Sequence, residues 1–175
     1  TTPTNSTCGN ANGTATVTPA GGTAGYTYLW SNGQTTQIAV NLSASTYTVT
    51  VTDSKGCTTS GAQTISNTTG PAVVQDLITN VNCFGDATGA VFITATGGTG
   101  TLNYLWSNGT SAADLQNVIS GTYTVTVTDF NSCTATLSAT VTQPAAALSV
   151  TTSPTNSTCG NANGTATVTP AGGTA

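Results

Sequence analysis

The chain of 175 residues carries a single cation, Lys55, against five carboxylates, with no Arg and no His. One lysine cannot neutralise a run of phosphates or hold an anionic membrane surface, which excludes nucleic acid and charged lipid as partners. Isolated carboxylates without histidine leave general acid–base catalysis without candidates, and no run is apolar enough to insert in a membrane as a helix.

In chain order, Thr1 to Ser6 reads as an extended lead-in broken at Pro3, and Asn10 to Gly13 as a turn into a strand, Thr14 to Thr18, with Ala15 and Val17 inward. Gly21-Gly22 makes a loop. A strand over Tyr26 to Ser31 sets Tyr26, Tyr28 and Trp30 on one face and Thr27 and Leu29 on the other. Asn32-Gly33 marks a hairpin, since both residues accept positive φ. After a short strand, Gln37 to Leu42, comes the central one, Thr46 to Asp53. Its Tyr47, Val49 and Val51 alternate with Thr48, Thr50 and Thr52, a half-buried β pattern. A turn through Gly56 leads to Cys57 and a last strand ending near Ile65, and Ser66 to Pro71 has linker composition.

The plan then recurs with a richer core. Val73 to Cys83 is the lead strand, Val91 and Ile93 replace Ala15 and Val17, and Leu102, Tyr104 and Trp106 replace Tyr26, Tyr28 and Trp30. Asn108-Gly109 repeats the hairpin, and Thr122 to Asp129 spells the same eight letters as Thr46 to Asp53, with Tyr123 for Tyr47. Cys133 to Val141 puts Ala135, Leu137, Ala139 and Val141 on one face, and Gln143 to Ala147 forms the next linker. Between Thr110 and Ser120 the alternation slips by one residue, and the pattern leaves that edge strand's register open.

Trp30 to Trp106, Tyr47 to Tyr123 and Cys57 to Cys133 are each 76 residues apart, and Pro3 to Ala24 recurs letter for letter as Pro154 to Ala175, 151 residues on. This is an array of alternating domains. The domains are expected at 1–69, 70–145 and, as the truncated start of a third, 146–175. A piece of a longer array is the expectation, with no signal-peptide pattern at the start. Six or so short strands per repeat predict an all-β fold of tandem immunoglobulin-like Greek-key β-sandwiches in an extended array. A β-solenoid would need a period of roughly 20–30 residues.

Five widely spaced cysteines, without a C-x-x-C pair or histidine, argue for disulfides in an oxidising compartment and against a metal site. Equal spacing in the two repeats favours Cys8–Cys57 and Cys83–Cys133, with Cys159 unpaired. Each bridge would close a loop of about fifty residues, stabilising by roughly 4 kcal/mol in the chain-entropy picture.

At Cys83-Phe84-Gly85, Gly89, Gly97-Gly98-Thr99-Gly100, Tyr104 to Gly109 and Gly121 to Asp129 the chain resembles the SprB repeat, a family of very long cell-surface adhesins of Bacteroidetes. The first repeat resembles it through Gly13, Gly21-Gly22, Tyr28, Trp30 to Gly33 and Tyr47 to Asp53, so the likeness runs across nearly the whole chain. It departs at Cys8-Gly9, which lacks the Phe. Ser45 stands where the second repeat has Gly121, which implies a strained or reshaped turn. The resemblance implies extracellular display at the cell surface, export by type IX secretion, and a stalk or filament serving adhesion or gliding motility. It implies no catalytic residue and no cofactor.

Tyr28, Trp30, Tyr47, Tyr104, Trp106 and Tyr123 read as core aromatics; exposed, the tryptophans and tyrosines would instead make a carbohydrate-binding module for surface glycans. Leu29, Phe92 and Leu105 fall on outward strand positions and read as interface residues. Asp53 and Asp129 read as turn caps, since Ca²⁺ takes six to eight oxygens and no second carboxylate lies near in sequence. Partners are then neighbouring repeats of the same chain and laterally associated copies. The Thr-x-Thr runs also suggest an ice-binding surface, which needs flatter and longer ranks of Thr than a twisted sandwich offers.

Overall fold

The computed structural model describes residues 1–173, in which every regular element is a β-strand. The first repeat comprises β1 (Thr2–Thr4), β2 (Ser6–Thr7), β3 (Gly13–Thr16), β4 (Thr27–Trp30), β5 (Ile38–Leu42), β6 (Ser45–Thr52), β7 (Thr58–Ile65) and β8 (Asn67–Thr68). One sheet has the order β1-β3-β5 and a second β4-β6-β7, while β2 and β8 pair in parallel. The alternation in β6 sends Val49 and Val51 inward opposite Trp30 and Tyr28 of β4, and leaves Thr48 and Thr50 exposed. Ala15, Ala39 and Leu42 from one sheet and Trp30, Val49, Val51 and Ile65 from the other share a single buried cluster, edged by Tyr26, Tyr28 and Tyr47. Burying each of the larger side chains stabilises by about 1.5–3 kcal/mol, which is what couples the two sheets.

The second repeat comprises β9 (Pro71–Thr79), β10 (Gly89–Gly97), β11 (Asn103–Trp106), β12 (Leu115–Val118), β13 (Gly121–Thr128) and β14 (Thr134–Val141), in sheets β9-β10-β12 and β11-β13-β14. Val91, Trp106, Leu115, Val125, Val127 and Val141 are its largest buried side chains. A last hairpin pairs β15 (Ser149–Thr155) with β16 (Thr165–Ala171). Chain contacts divide the molecule into two compact units. One contains Thr1–Ala72, Ala95–Asn103 and Val127–Ala135; the other contains Val73–Thr94, Tyr104–Thr126 and Thr136–Ala175.

Four local expectations need correction. Pro3 does not break the lead-in: it lies inside β1, paired with Ala15, and β1 is an edge strand, where a missing N–H is tolerated. Half of the supposed linker Ser66 to Pro71 is strand, namely β8 and the first residue of β9, and the lead strand ends at Thr79 rather than Cys83. The slip before Ser120 is a β-bulge present in both repeats. Register shifts between Gly13 and Ala15 against β5, and between Gly89 and Ala90 against β12. At each bulge an asparagine takes a left-handed backbone, Asn41 at φ 54° and Asn117 at φ 56°, a conformation asparagine accepts more readily than other side chains. The extra residue lets Ala39 with Leu42, and Leu115 with Val118, both face inward at a spacing of three. Finally, neither Ser45 nor Gly121 has positive φ; each simply opens its central strand without strain.

The duplicated segment gives an internal control on register. Thr2, Pro3 and Thr4 pair with Thr16, Ala15 and Thr14, and their counterparts Ser153, Pro154 and Thr155 pair with Thr167, Ala166 and Thr165. The surroundings differ: Val17 is 7% exposed and its counterpart Val168 is 60% exposed. The hairpin register therefore comes from the local sequence and not from a covering sheet.

Candidate functional site: the cysteine-bearing turns

Each central strand ends on an aspartate that organises the turn into the next cysteine. Asp53 Oδ1 accepts the N–H groups of Lys55 and Cys57, both at 2.9 Å, and its Oδ2 accepts the Thr23 N–H at 2.9 Å. Asp129 Oδ1 accepts the Cys133 N–H at 2.8 Å and its Oδ2 the Thr99 N–H at 2.8 Å. The carboxylates thus tie the Gly-Gly loop to the Asp-to-Cys turn, an Asx turn with a second anchor. Gly22 and Gly98 lie at φ +68° and +71°, and a Cβ on either would come within 3.0 Å of the aspartate side chain, so this loop requires glycine there. The Thr23 amide is the chief cause holding the Asp53 carboxyl below its ordinary pKa, followed by the Cys57 amide. These carboxylates are spent on backbone amides. Among the described residues no three His, Cys, Asp or Glu side chains gather as a metal site.

The disulfide is not the one that equal spacing favours. Cys8 is bonded to Cys133, 125 residues away, with Cα atoms 5.2 Å apart, inside the first compact unit. Cys57, Cys83 and Cys159 are free and exposed, which overturns both Cys8–Cys57 and Cys83–Cys133. The strand plan explains why. Cys8 N–H donates to the Thr68 carbonyl at 3.0 Å, which places it past the end of β7, whereas Cys57 precedes the start of β7. An eight-residue strand spans roughly 26 Å, far beyond the ~7 Å limit for bridging two Cα atoms. The same chain segment meets Cys133 instead: a Cβ built on Gly70 would stand 2.7 Å from Cys133 Cβ. Beside Cys57 lies an open cavity of about 180 Å³, lined by Pro19, Gly21, Gly22, Tyr26, Val51 and Thr59 among others.

Trp30 and Trp106 are 1% and 2% exposed, and their indole N–H groups donate to the carbonyls of Thr36 at 2.9 Å and Ala112 at 3.0 Å. Buried in this way, neither can stack on a sugar. Tyr28, Tyr47, Tyr104 and Tyr123 are half-buried. The hydroxyls of Tyr47 and Tyr123 donate back to the carbonyls of Ser43 at 3.2 Å and Ile119 at 3.0 Å, fixing the turn before each central strand. Leu29 and Leu105 stand 57% and 58% exposed, while Phe92 is half-buried. Around Leu29 the sheet face is hydroxylic: Thr50 is its cross-strand partner, and Thr46 and Thr64 bond hydroxyl to hydroxyl at 3.0 Å. Sequence reading missed Phe130, the most exposed large apolar side chain, and Val74 and Leu77 on β9. Phe130 lies in a turn, where no strand alternation assigns a face; the alternation of β9 could have flagged Val74 but not Leu77, three residues on and so on the opposite face.

Comparison with known proteins follows the same repeat. The SprB repeat family matches residues 1–35 and 77–111, two segments offset by 76 residues that stop short of the central strands. Among solved structures, the three N-terminal domains of the bacteriophage RB49 Highly Immunogenic Outer Capsid protein (Hoc) are similar at 16% identity and a TM-score of 0.43, over 94% of this chain and 67% of that one. Extracellular domains 3–5 of Drosophila OTK are similar at 15% identity and a TM-score of 0.28, over 75% of this chain and 57% of that one. No curated protein matches the sequence.

Proposed function

The chain carries two SprB repeats, and from that premise we propose that it is a non-catalytic structural stretch of a long extracellular adhesin, a stalk or surface filament serving adhesion or gliding motility. One observation carries the reading: the groups that elsewhere do chemistry are consumed here by the fold. Both indole N–H groups close loops, and both strand-end carboxylates hold backbone amides. What is left outside is a surface mostly of hydroxyls and amides with few charges, Lys55, Asp76 and Asp86 among them.

We read each repeat as an immunoglobulin-like Greek-key sandwich. The sheets β1-β3-β5 and β4-β6-β7 share one core and correspond in strand order to the A-B-E and C-F-G sheets of that fold. The domains of the tandem row are then 1–69, 70–145 and the start of another at 146–175. Its partners are neighbouring repeats and laterally associated copies. Exposed Leu29 and Leu105, with half-buried Phe92, would be contact points within the hydroxylic faces. A carbohydrate-binding module would have to use other aromatics, Phe84 and Phe130, since the tryptophans are buried.

The test is surface labelling. Antibodies against this chain are expected to decorate intact, unpermeabilised cells of the producing bacterium, and brief protease treatment of those cells is expected to remove the label together with attachment. Labelling that appears only after permeabilisation would overturn the reading.

A further inference from the structure

The turn at Cys57 is built like the turn at Cys133, yet only Cys133 is bonded. In both turns the aspartate Oδ1 accepts the cysteine N–H, at 2.9 and 2.8 Å, and the aspartate N–H donates to the cysteine carbonyl, at 2.9 and 3.0 Å. They differ in what lies alongside. At Cys133 the neighbouring space holds Gly70, whose carbonyl oxygen would stand 3.3 Å from a Cβ on Gly97. At Cys57 the counterpart of Gly97 is Gly21, and there the space is the open cavity of about 180 Å³.

The cysteine that would answer Cys57 is the counterpart of Cys83, whose loop has one residue more than that of Cys8 before its glycine and whose φ is not positive; the left-handed form belongs to the alternate repeats. Cys8, which is bonded, and Cys159, which is free, adopt the same left-handed backbone, φ 58° and 53°. The loops around them make the same bonds: Asn12 Oδ1 accepts the Thr7 N–H at 2.8 Å, and Asn163 Oδ1 the Thr158 N–H at 2.8 Å. The loop after Cys83 is held by Gln143, whose Oε1 accepts the Gly85 N–H at 2.9 Å, as Asn67 Oδ1 accepts that of Gly9 at 2.9 Å after Cys8. The spacing also agrees. Moved along the chain by the 151-residue period, Cys57 falls 125 residues after Cys83, the same separation as Cys8 to Cys133.

We propose that the Cys57 cavity is a socket for the Cys-Phe-Gly loop, the counterpart of Cys83 to Gly85, and following linker of a preceding repeat on the same polypeptide. Tandem repeats of this kind are then stapled in overlap, the first cysteine of each repeat to the second cysteine of the next. The bond forms by thiol–disulfide exchange with a small disulfide such as oxidised glutathione. One protein thiolate attacks it and releases one small thiolate. The second protein thiolate then attacks the protein sulfur of the mixed disulfide and releases the other. Two protein thiols are oxidised and one small disulfide is reduced. The staple holds whatever the array does at the cell surface, so its failure leaves the adhesin reading standing.

The test is a longer chain in which residues 1–151 run directly into a full copy of the 175-residue sequence, a join that continues the natural period. It is oxidised with a glutathione mixture, its free thiols are alkylated, and the monomer is mapped under non-reducing conditions. A peptide linking Cys57 to Cys83 is expected in the longer chain and not in the monomer of the original one. It should vanish when only the leading copy carries Cys83→Ser, and persist when only the following copy does. Three outcomes would overturn the proposal: a link that survives Cys83→Ser in the leading copy, a Cys57 alkylated in both copies, or a link found only in dimers.

Discussion

Gly89 lies directly beneath Val141: a Cβ at Gly89 would stand 2.5 Å from Val141 Cγ1 and 2.8 Å from the Val118 carbonyl oxygen. Gly13 meets Ile65 and Leu42 in the same way, at 2.8 and 2.9 Å. Backbone and core valine cannot both give way, so Gly89→Ala is expected to destabilise by about 1–3 kcal/mol, the usual cost of overpacking. Gly61 on β7 has nothing within 4 Å of such a Cβ, and Gly61→Ala is expected to be neutral or stabilising by up to about 1 kcal/mol. Urea unfolding of the two variants checks the contrast.

The bulge asparagines make a second pair of contrasts. Asn117 holds φ 56°, a conformation that a β-branched side chain resists. Asn117→Val is expected to cost about 1–2 kcal/mol, while Asn117→Gly keeps the bulge and stays near wild-type stability. Equilibrium unfolding gives the magnitudes, and amide exchange on β12 shows whether its pairing with β10 is preserved.

Acid should loosen the first repeat through Asp53. Its carboxyl titrates below the ordinary value of 3.8 because backbone amides, that of Thr23 first, bind the charged form. The unfolded chain therefore takes up this proton at higher pH than the folded one. The stabilisation is complete above the ordinary value and is lost as pH falls through the lower, folded-state value. Asp53→Asn is expected to flatten that part of the profile. Urea midpoints measured from about pH 6 down to about pH 2 test the sign.

The Cys8–Cys133 bond closes a loop of 125 residues, for which chain entropy gives about 5 kcal/mol. Cys8→Ser, or reduction of the wild type, is expected to lower the unfolding midpoint by a correspondingly large margin. Cys57→Ser should leave the isolated chain unchanged. Thermal melts with and without reductant distinguish the two.

Sequence alone located the strands because their signals are local: the Thr-Val alternation of β6 and β13, the Asn-Gly hairpins, and the inward Trp30 and Trp106 all follow from side-chain period. It also anticipated that Asp53 and Asp129 would cap turns, since an Asx turn needs only neighbours in the chain. The disulfide was not legible. Spacing says that Cys8 and Cys57 recur together, but not that β7 separates them or that Gly70 passes beside Cys133. The cavity at Cys57 and the exposure of Phe130 depend on packing across the chain in the same way. The bulges fell between these cases: Leu115 and Val118 announced a slip, while the left-handed backbone of Asn117 that resolves it emerged only in three dimensions.

A bond that spans 125 residues also changes what a single cut can do. Hydrolysis of any one peptide bond between Cys8 and Cys133 leaves two polypeptides still joined by their sulfurs, so a nick in that stretch does not release a fragment. Overlapping staples along an array would extend this protection to every interior loop. A thread exposed to environmental proteases would then be severed only by three cuts, one in each of three successive intervals between cysteines, or by reduction followed by a cut.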